Sequence, residues 1–427
     1  MWPRKTLDIG FCDLFRGLSY AVIELLSRTN KRPANRSRTS NEDGRFVCLS
    51  VRSGFDTLLR SLDFPTGSEV LFSELTIPDM QRIVSANGIQ AIGVGLDPES
   101  WSIDLSLLED VITPQTRAIV VTQLFGRRDS LSELAKIARR HGLLLIEDCA
   151  QSFRGPRDRG DPHADVSMFS FGPIKTNTCL GGAILRLRNP EIVARFSIQH
   201  QQLPTQTNAW FAKRLLKYLV LKCFNNPLAY GMLYRALAVL GRDPDATISG
   251  LARGFAGSDF LSRIRKRPSA SLTRLIESRL SRDQAERRQR RCSRGRELTS
   301  LLSPAIETPA HLTSPDDAEQ GYWVYPVLSR CPQSLQAELV QHDFDATRRS
   351  SLAVIANRSE TKTSGADFLE RVVFLPLENQ MKRQDLERLA KIVNSHEQRY
   401  VDDREKPAAF WGSRRAKRHQ ESELSKT

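Results

Sequence analysis

The amino-acid sequence predicts an α/β protein that has a large domain with a mixed, mostly parallel sheet and a small C-terminal α/β domain. Two observations support this prediction. Seven short runs rich in apolar and β-branched residues recur between residues 46 and 188, and amphipathic helical segments separate several of them. This alternation is typical of a largely parallel sheet covered by helices, because strands buried on both faces need apolar residues at nearly every position.

Each run has the length of a buried strand and ends at a turn or helix signal. The first run stops at Arg52-Ser53-Gly54, and FDTLLRSL then fits a helix. PDMQRIVSANG and LSELAKIARRHG are helical segments that end on glycine. The predicted strands are FVCLSV (46–51), EVLFSEL (69–75), IQAIGVGL (89–96), AIVVTQLFG (118–126), LLLIEDCAQ (143–151), VSMFSFG (166–172) and GGAILRLR (181–188).

Outside this region the pattern changes. Residues 208–240 are apolar but interrupted by basic residues, and they predict two helices hinged at Asn226-Pro227. These helices have three possible roles: core packing, a subunit contact, or a membrane interface with the basic residues at head-group level. Residues 269–300 predict one long Arg-rich helix. The expected organisation is an N-terminal helix and linker (1–45), a large domain (46–200), a helical insert (201–268), a long helix with the small domain (269–400) and a disordered basic tail (401–427).

Composition and charge exclude several classes of protein. The net charge of the 427 residues is +14, but residues 251–300 alone hold 14 Lys/Arg against 5 Asp/Glu, so the rest of the chain is nearly neutral. No groove-reading motif accompanies this basic stretch, and we therefore expect no nucleic-acid partner. Seven well-separated cysteines without a C-x-x-C pair exclude a disulfide scaffold and a zinc-ribbon site, and we expect no metal. The absence of a visible secretory signal predicts a cytoplasmic protein.

Polar residues follow three of the predicted strands. Ser53-Gly54 follows the first strand, Asp148 and Gln151 close the fifth, and Ser170 and Lys175 follow the sixth. Ligands of open α/β sheets bind beyond the carboxyl ends of strands, so these groups are candidates for one site. Taken singly, each has an ordinary explanation: a turn, a helix cap or a solvated lysine. A small turn that opens a helix also offers free amides for a phosphate.

The joint pattern is more specific. LAKIARRHGLLLIEDCAQS and FSFGPIKT, followed by GGA, resemble the DegT family of pyridoxal-phosphate-dependent sugar aminotransferases, which share the aspartate-aminotransferase-like fold type I. GSEVLFSELT adds to the likeness, and HDFDATRR and VVFLPLENQMKRQDLERLAKIV resemble the small domain of the family. The resemblance covers residues 45–200 and, more loosely, 265–397.

The resemblance implies roles for individual residues. Lys175 corresponds to the lysine that binds the cofactor covalently and then moves protons during the reaction. Asp148 corresponds to the carboxylate that pairs with the pyridinium nitrogen, and Gln151 to the residue near the phenolic oxygen. Ser170 and the backbone of Gly54-Phe55 correspond to the phosphate ligands.

The resemblance also implies an activity and an assembly. Lysine at position 175, where some family members have histidine and catalyse deoxygenation, favours transamination. The expected reaction moves an amino group from an amino acid, typically glutamate, to the ketone of a nucleotide-linked sugar in polysaccharide or glycoconjugate synthesis. A homodimer is expected, because fold type I sites are completed across the subunit interface. Peripheral contact with the inner face of a membrane through 208–240 is a further possibility.

The sequence departs from the family pattern at several positions. Phe55 replaces a threonine of the phosphate turn, Ile77 replaces an aromatic ring that stacks on the cofactor, and TNTCLGG lacks an acidic residue before the paired glycines. No asparagine is found near 265–271, where Arg265 is an alternative phosphate partner. A changed substrate explains these departures better than lost activity, but a non-catalytic or regulatory member of the same fold stays as the alternative.

Overall fold

A computed structural model describes residues 1–27, 44–251, 259–282, 285–309, 321–358 and 363–405. The helices are α1 (Phe11–Leu26), α2 (Val51–Leu62), α3 (Pro78–Ala86), α4 (Leu105–Val111), α5 (Ser132–Arg140), α6 (Pro190–Gln202), α7 (Asn208–Lys222), α8 (Pro227–Val239), α9 (Pro244–Leu251), α10 (Phe260–Ile264), α11 (Ala270–Leu280), α12 (Ala285–Leu301), α13 (Pro332–Gln341), α14 (Ser364–Arg371) and α15 (Arg383–Glu405). The strands are β1 (Arg45–Cys48), β2 (Glu69–Ser73), β3 (Leu75–Thr76), β4 (Gln90–Val94), β5 (Thr116–Thr122), β6 (Leu144–Asp148), β7 (Val166–Ser170), β8 (Ala183–Leu187), β9 (Tyr325–Leu328), β10 (Ala353–Val354) and β11 (Val372–Leu375).

The seven expected strands form one sheet in the order β1-β8-β7-β6-β5-β2-β4. The strands β4, β2, β5, β6 and β7 are parallel, whereas β8 is antiparallel to both β7 and β1. The direction of β1 is therefore that of β7. This mixed, mostly parallel sheet agrees with the fold class predicted from the sequence.

Helices cover both faces of the sheet because its strands are apolar at successive positions. Leu58, Ile83 and Phe196 from α2, α3 and α6 pack on one face. The other face packs against α1, α7 and α11 near β1 and β8, and against α4 and α5 near β5 and β2. A separate core joins α12, α13 and α15 to the two-stranded sheet of β9 and β11, which forms the small domain.

The expected single helix over 269–300 is wrong, because this segment forms two helices. Helix α11 ends at Leu280, and α12 begins at Ala285. The two helices belong to different cores: Leu272, Leu275 and Ile276 pack with the large sheet, whereas Leu298 packs in the small domain. The helical run is therefore interrupted at Ser281 and Arg282.

Residues 208–240 form two helices separated at Asn226-Pro227, as expected. Helix α7 buries Phe211, Leu215 and Tyr218 against the large domain. Helix α8 is apolar but mostly exposed, and Asn226 caps its first turn by accepting a hydrogen bond from the amide of Leu228 at 2.8 Å. No described helix is both long and apolar enough to cross a membrane.

Two expected segments fall largely outside the described residues. The linker before the first strand lies there over residues 28–43, and the basic tail lies there from residue 406 onward. The backbone of α15 continues to Glu405, so the first residues of the expected tail are helical.

Candidate functional site

The carboxyl ends of β1, β6 and β7 lie at the same edge of the sheet, because these three strands run in the same direction. This edge receives the start of α2 after β1, Asp148 at the end of β6 and Ser170 at the end of β7. The structure therefore brings together the three groups of polar residues that the sequence places after separate strands.

Asp148 is almost fully buried at the last position of β6. Its Oδ1 accepts a hydrogen bond from the amide of Ala150 at 2.9 Å. Burial raises the pKa of this carboxyl, while the Ala150 amide and the positive charges of Lys175 and Arg52 act in the opposite direction. The electrostatic coupling shows that Lys175 and Arg52 share its surroundings.

Lys175 lies five residues beyond β7, in a turn closed by a hydrogen bond from its amide to the carbonyl of Gly172 at 3.0 Å. Its Nζ stands 4.1 Å from the centroid of the Trp323 ring, whose Nε1 donates to the carbonyl of Ile174 at 2.8 Å. Desolvation lowers the pKa of Lys175 to about 8; Asp148 opposes this change and Arg52 adds to it. About a tenth of this lysine is thus a neutral amine at pH 7, and about half is neutral at pH 8.

Gly172 lies between Ser170 and Lys175. A methyl group added to Gly172 would meet Ser170 Oγ at 3.7 Å and Lys175 Cγ at 3.8 Å, so both side chains border the same space. Gln151 follows Asp148 by three residues and is buried. Its Oε1 accepts a hydrogen bond from the amide of Phe125 at 2.9 Å. Strand ends and short-range hydrogen bonds therefore hold Asp148, Ser170 and Lys175. The amide of Phe125 holds Gln151.

The expected turn at Ser53-Gly54 is instead the first turn of α2, which begins at Val51. Ser50 caps this helix, since its hydroxyl accepts from the amide of Ser53 at 3.1 Å, and the Gly54 amide donates to the Ser50 carbonyl at 3.0 Å. Phe55 is fully buried in the core. Glycine is needed at position 54 because a Cβ would come within 2.3 Å of Leu185 on β8.

The amides that a helix leaves without an intrahelical acceptor are those of its first residues, here Val51 and Arg52. The positive end of the helix therefore lies at Val51 and Arg52 and not at Ser53-Gly54, where the sequence analysis placed it. Arg52 adds a full charge there, and its Nε pairs with Asp79 Oδ2 at 2.5 Å. Sequence reasoning missed Arg52 because the start of α2 was placed four residues too late, at Phe55 instead of Val51. Arg265, the other expected cation, instead binds Asp56 through two contacts of 3.0 Å.

The N-terminal segment and the small domain contribute residues that the sequence did not reveal. Lys5 donates to the carbonyl of Trp323, and burial lowers the pKa of this lysine. Asp8 Oδ2 accepts from the amide of Asn177 at 2.7 Å, which fixes the loop directly after Lys175. No local sequence signal links residues so far apart in the chain.

The residues of this edge fit pyridoxal phosphate. A protonated ring nitrogen requires a buried carboxylate, and Asp148 supplies one. The aldehyde carbon requires a partly neutral lysine, which Lys175 supplies. The phosphate requires amides and positive charge, which the start of α2 and Arg52 supply. Among the residues that the structure describes, no cluster of His, Cys, Asp or Glu has the composition of a metal site.

Comparison with known sequences agrees with this geometry. The model of the DegT/DnrJ/EryC1/StrS aminotransferase family matches residues 44–213. A dTDP-3-amino-3,4,6-trideoxy-alpha-D-glucose transaminase from Streptomyces venezuelae is 35% identical over 154 residues, which are 34% of this chain and 40% of that protein. A UDP-2-acetamido-2-deoxy-3-oxo-D-glucuronate aminotransferase from Pseudomonas aeruginosa is 34% identical over 149 residues, which are 33% of this chain and 41% of that protein. The match thus spans about two fifths of the length of these curated relatives.

Solved structures resemble the chain over nearly its whole length. PseC of Helicobacter pylori, an aminotransferase involved in the biosynthesis of pseudoaminic acid, has a TM-score of 0.65 at 16% identity, with 93% of this chain and 99% of that chain covered. The sugar aminotransferase CalS13 of Micromonospora echinospora has a TM-score of 0.60 at 20% identity, with 92% and 100% covered. These similarities confirm the predicted fold, and the family match confirms the resemblance found in the sequence.

Proposed function

We propose that this chain, which belongs to the DegT/DnrJ/EryC1/StrS aminotransferase family through residues 44–213, is a pyridoxal-phosphate-dependent aminotransferase that acts on a nucleotide-linked keto-sugar. The observation that carries the proposal is the meeting of Asp148 and Lys175 at one sheet edge, where each affects the pKa of the other. When bound, the cofactor would supply an electron sink for the removal of a proton from a carbon next to nitrogen.

Lys175 has two tasks in this proposal: to hold the cofactor and to move a proton at its Nζ. Both require a neutral amine for part of the time, and burial provides it by lowering the lysine pKa to about 8. The Trp323 ring covers the Nζ at 4.1 Å and limits the access of water on that side. Trp323 is in turn oriented by its hydrogen bond to the carbonyl of Ile174.

Asp148 would hold a proton between its carboxylate and the ring nitrogen. Burial destabilises an isolated negative charge on Asp148 and therefore favours a carboxyl that shares a proton with a partner. Gln151 is proposed to lie near the phenolic oxygen. For the phosphate, the hydroxyl of Ser170 and the first amides of α2 are the proposed donors, with Arg52 as the counter-charge. The amides near Gly54 and Phe55 contribute less, because the Gly54 amide already donates to Ser50.

An absorbance spectrum of the purified protein tests the proposal. We expect a visible band of bound pyridoxal phosphate that borohydride bleaches, that glutamate alters and that Lys175→Ala abolishes. Lys136→Ala is the matched control, because Lys136 is an exposed lysine that pairs only with Glu133 in the structure. A protein that stays colourless after incubation with the cofactor contradicts the proposal.

Glutamate is proposed as the amino donor from the family resemblance of the sequence. A nucleotide-linked keto-sugar is proposed as the acceptor from the relatives, whose names include dTDP- and UDP-linked sugars. Polysaccharide or glycoconjugate synthesis is the proposed context. Formation of 2-oxoglutarate from glutamate with dTDP-, UDP- and GDP-linked keto-sugars tests both substrates. No product with any of the three nucleotides contradicts the proposed acceptor, and product with another amino acid corrects the donor.

A homodimer is proposed as the working assembly, because fold type I sites are completed by a second subunit. Sedimentation equilibrium of the cofactor-loaded protein measures this directly. A monomer that retains full activity contradicts the homodimer.

Peripheral contact with an anionic membrane through 208–240 is also proposed. Leu228 and Met232 are 78% and 68% exposed on α8, and Val220 is 63% exposed on α7. Residues 208–240 contain five Lys/Arg and no Asp/Glu, so the segment as a whole is both cationic and apolar. This combination favours a bilayer that contains anionic lipids.

Sedimentation with vesicles of phosphatidylglycerol or of phosphatidylcholine alone tests this contact. We expect binding to the anionic vesicles only, weakened by salt and by Leu228→Glu but not by Leu107→Glu, a control at another exposed leucine. Equal loss in both variants contradicts the contact. Self-association that Leu228→Glu abolishes, without vesicle binding, assigns this surface to a subunit interface instead.

The alternative is a non-catalytic or regulatory member of the fold. Phe55 was one reason for it, and its side chain packs in the core, so position 55 offers no hydroxyl at the sheet edge. A bound cofactor that glutamate never alters would favour this alternative.

A further inference from the structure

Trp323 covers Lys175, and its position depends on partners from three other parts of the chain. Its amide donates to the carbonyl of Phe125 at 2.9 Å, and its Nε1 donates to the carbonyl of Ile174 at 2.8 Å. Its carbonyl accepts from the Nζ of Lys5. Every polar group of Trp323 thus has a partner, and the centroid of the indole ring lies 4.1 Å from the Nζ of Lys175.

The backbone before Trp323 needs such support. Tyr322 has a φ of 38°, in the left-handed region that a residue with a bulky side chain rarely adopts. A conformation of this kind persists only where surrounding contacts impose it. The amide of Gly321 donates to the carbonyl of Gly126 at 2.9 Å, which fixes the chain before Tyr322. The bond from Lys5 fixes the peptide that follows Trp323.

Lys5 is placed at this carbonyl by its neighbours in the chain. Arg4 binds Asp345 through two contacts of 2.7 Å, and the amide of Thr6 donates to Glu378 at 2.8 Å. Both carboxylates are buried in the small domain. The main chain of Lys5 is therefore anchored on both sides.

The side chain of Lys5 has one polar partner, the carbonyl of Trp323. Within the described parts of the chain, no other acceptor receives a hydrogen bond from its Nζ, and no carboxylate forms a salt bridge with it. Its Nζ also lies 5.2 Å from the centroid of the Trp323 ring, so the amines of Lys5 and Lys175 both border this ring. The position of Lys5 is thus explained by Trp323 and not by an ion pair.

The charges around Lys5 leave its hydrogen bond intact. Burial lowers the pKa of this lysine, and Arg291 and Lys175 act in the same direction, whereas Glu378 and Asp8 oppose them. A neutral amine and an ammonium group both carry N–H donors, so the bond to the carbonyl forms in either state.

We propose that Lys5 is a positioning residue for the reaction at Lys175: by binding the carbonyl of Trp323, it holds the indole ring over the Nζ of Lys175 and keeps water from that side. The assignment to a reaction rests on the proposed aminotransferase function. The effect on Lys175 itself does not depend on the cofactor, so the two proposals can be tested separately.

The pH dependence of Lys175 acetylation by acetic anhydride tests this role in the cofactor-free protein, with the modified peptide quantified by mass spectrometry. The reagent reacts with the neutral amine, so the midpoint reports the pKa of Lys175. Desolvation is the largest of the effects that lower this pKa to about 8. In Lys5→Met the ring is released and water reaches the Nζ, and we expect the midpoint to rise by about one pH unit.

The conservative variant and a matched control separate positioning from general stability. Lys5→Arg keeps an N–H donor for the carbonyl and should restore the wild-type midpoint. Lys222 also donates from its Nζ to a carbonyl of the N-terminal segment, that of Leu7 at 2.8 Å. We therefore expect Lys222→Met to leave the acetylation midpoint unchanged. Equal shifts in Lys5→Met and Lys222→Met would mean that loosening of the whole segment is the cause, which overturns the proposal.

A double variant decides whether Lys5 acts through Trp323. Trp323→Ala exposes the same side of Lys175, and we expect its midpoint to rise as well. Lys5→Met should then add no further shift in the Trp323→Ala background. An additive shift overturns the proposal, and so does an unchanged midpoint in Lys5→Met.

Two further controls keep the result interpretable. Lys5→Gln has a side chain one bond shorter, and it replaces Lys5→Met if thermal unfolding shows that the methionine variant does not fold. Failure of the aminotransferase proposal appears separately, as the absence of the visible cofactor band in the wild type, and it leaves the acetylation result valid.

Discussion

Two regions surround Lys175, and they are built differently. The sheet edge consists of Asp148, Ser170, Lys175 and the start of α2, and strand ends and short-range hydrogen bonds hold it in place. The outer wall consists of Lys5, Asp8, Asp13, Arg279 and Arg291, and contacts between distant parts of the chain hold it.

The two regions differ in the number of their charges and in how these charges are compensated. The edge has few charges, and their pKa values are tuned by burial and by one another. The wall has many charges, most of them paired, and two guanidinium nitrogens, Arg279 Nε and Arg291 Nη1, without a hydrogen-bond partner among the described residues. The edge therefore depends mainly on the sheet, whereas the wall depends on contacts between the N-terminal segment and α11.

Asp148→Asn is the largest expected disruption of the edge. The amide keeps the shape of the carboxylate but cannot hold a proton for the ring nitrogen, so the rate of reaction with glutamate should fall on the order of 100-fold or more. Stopped-flow absorbance measures this rate. Asp104→Asn is the control, since Asp104 caps α4 and asparagine caps equally well. A loss below about threefold in Asp148→Asn removes this aspartate from the mechanism.

Arg279→Met tests the wall without touching the edge. The Arg279 side chain is fully buried, bonds to Asp13 and donates to the carbonyl of Asp8 at 2.8 Å. Breaking a buried pair leaves a charge without compensation, and we expect a loss of about 3 kcal/mol in the free energy of unfolding.

The matched change is Arg274→Met, because Arg274 is 43% exposed and pairs with Glu24 at 3.1 Å. An exposed pair contributes less than about 1 kcal/mol, so this variant should be nearly as stable as the wild type. Urea unfolding of the two variants measures the difference. Equal losses would show that the pair between Arg279 and Asp13 has no special role in the wall.

Alanine substitutions at two glycines test which of them borders the space between Ser170 and Lys175. Gly54→Ala places a methyl group against Leu185 and should cost about 1–3 kcal/mol of unfolding free energy. Gly172→Ala meets its neighbours at ordinary distances and should leave stability within about 0.5 kcal/mol, but the methyl group crowds the space between Ser170 and Lys175. We therefore expect weaker cofactor binding in Gly172→Ala, measured by titration of the visible band. The opposite pattern would mean that Gly54 borders the cofactor.

The pH dependence of cofactor uptake gives the smallest and most specific effect. The neutral amine of Lys175 increases as pH rises through its pKa of about 8, so uptake by the cofactor-free protein should accelerate over that range. Arg52 lowers this pKa and Asp148 raises it. Arg52→Met should thus move the midpoint to higher pH, and Asp148→Asn should move it to lower pH. Shifts in the same direction would contradict the assigned electrostatics.

The sheet edge could be predicted from the sequence because each strand and each polar residue after it is recognisable within a short stretch of chain. Each strand is a compact apolar run, and Asp148 and Lys175 follow their strands within a few residues. Parallel strands bring such residues together without further information. The start of α2 was misplaced because Ser50 caps a helix that begins with Val51 and Arg52, and this cap resembles the end of the preceding strand.

The wall could not be predicted, since its contacts join distant parts of the chain. Asp8 contacts Asn177 and Arg287, and nothing in the sequence around any of these residues indicates the others. The Arg-rich stretch was predicted as a single helix. Its division into α11 and α12 depends on two separate cores, and helical periodicity continues on both sides of the break.

The contact between Asp8 and Asn177 has a consequence for folding. It closes a loop of 169 residues, and Trp2 reaches still farther, to Asp385. Such closures are slow compared with the pairing of neighbouring strands, because loop entropy is lost before the contact forms. During synthesis, the sheet has all its strands once residue 187 has emerged, yet the segment from Trp2 to Asp8 has no complete docking surface until α15 is made. The docking of the segment from Trp2 to Asp8 therefore depends on parts of the chain that are synthesised long after it.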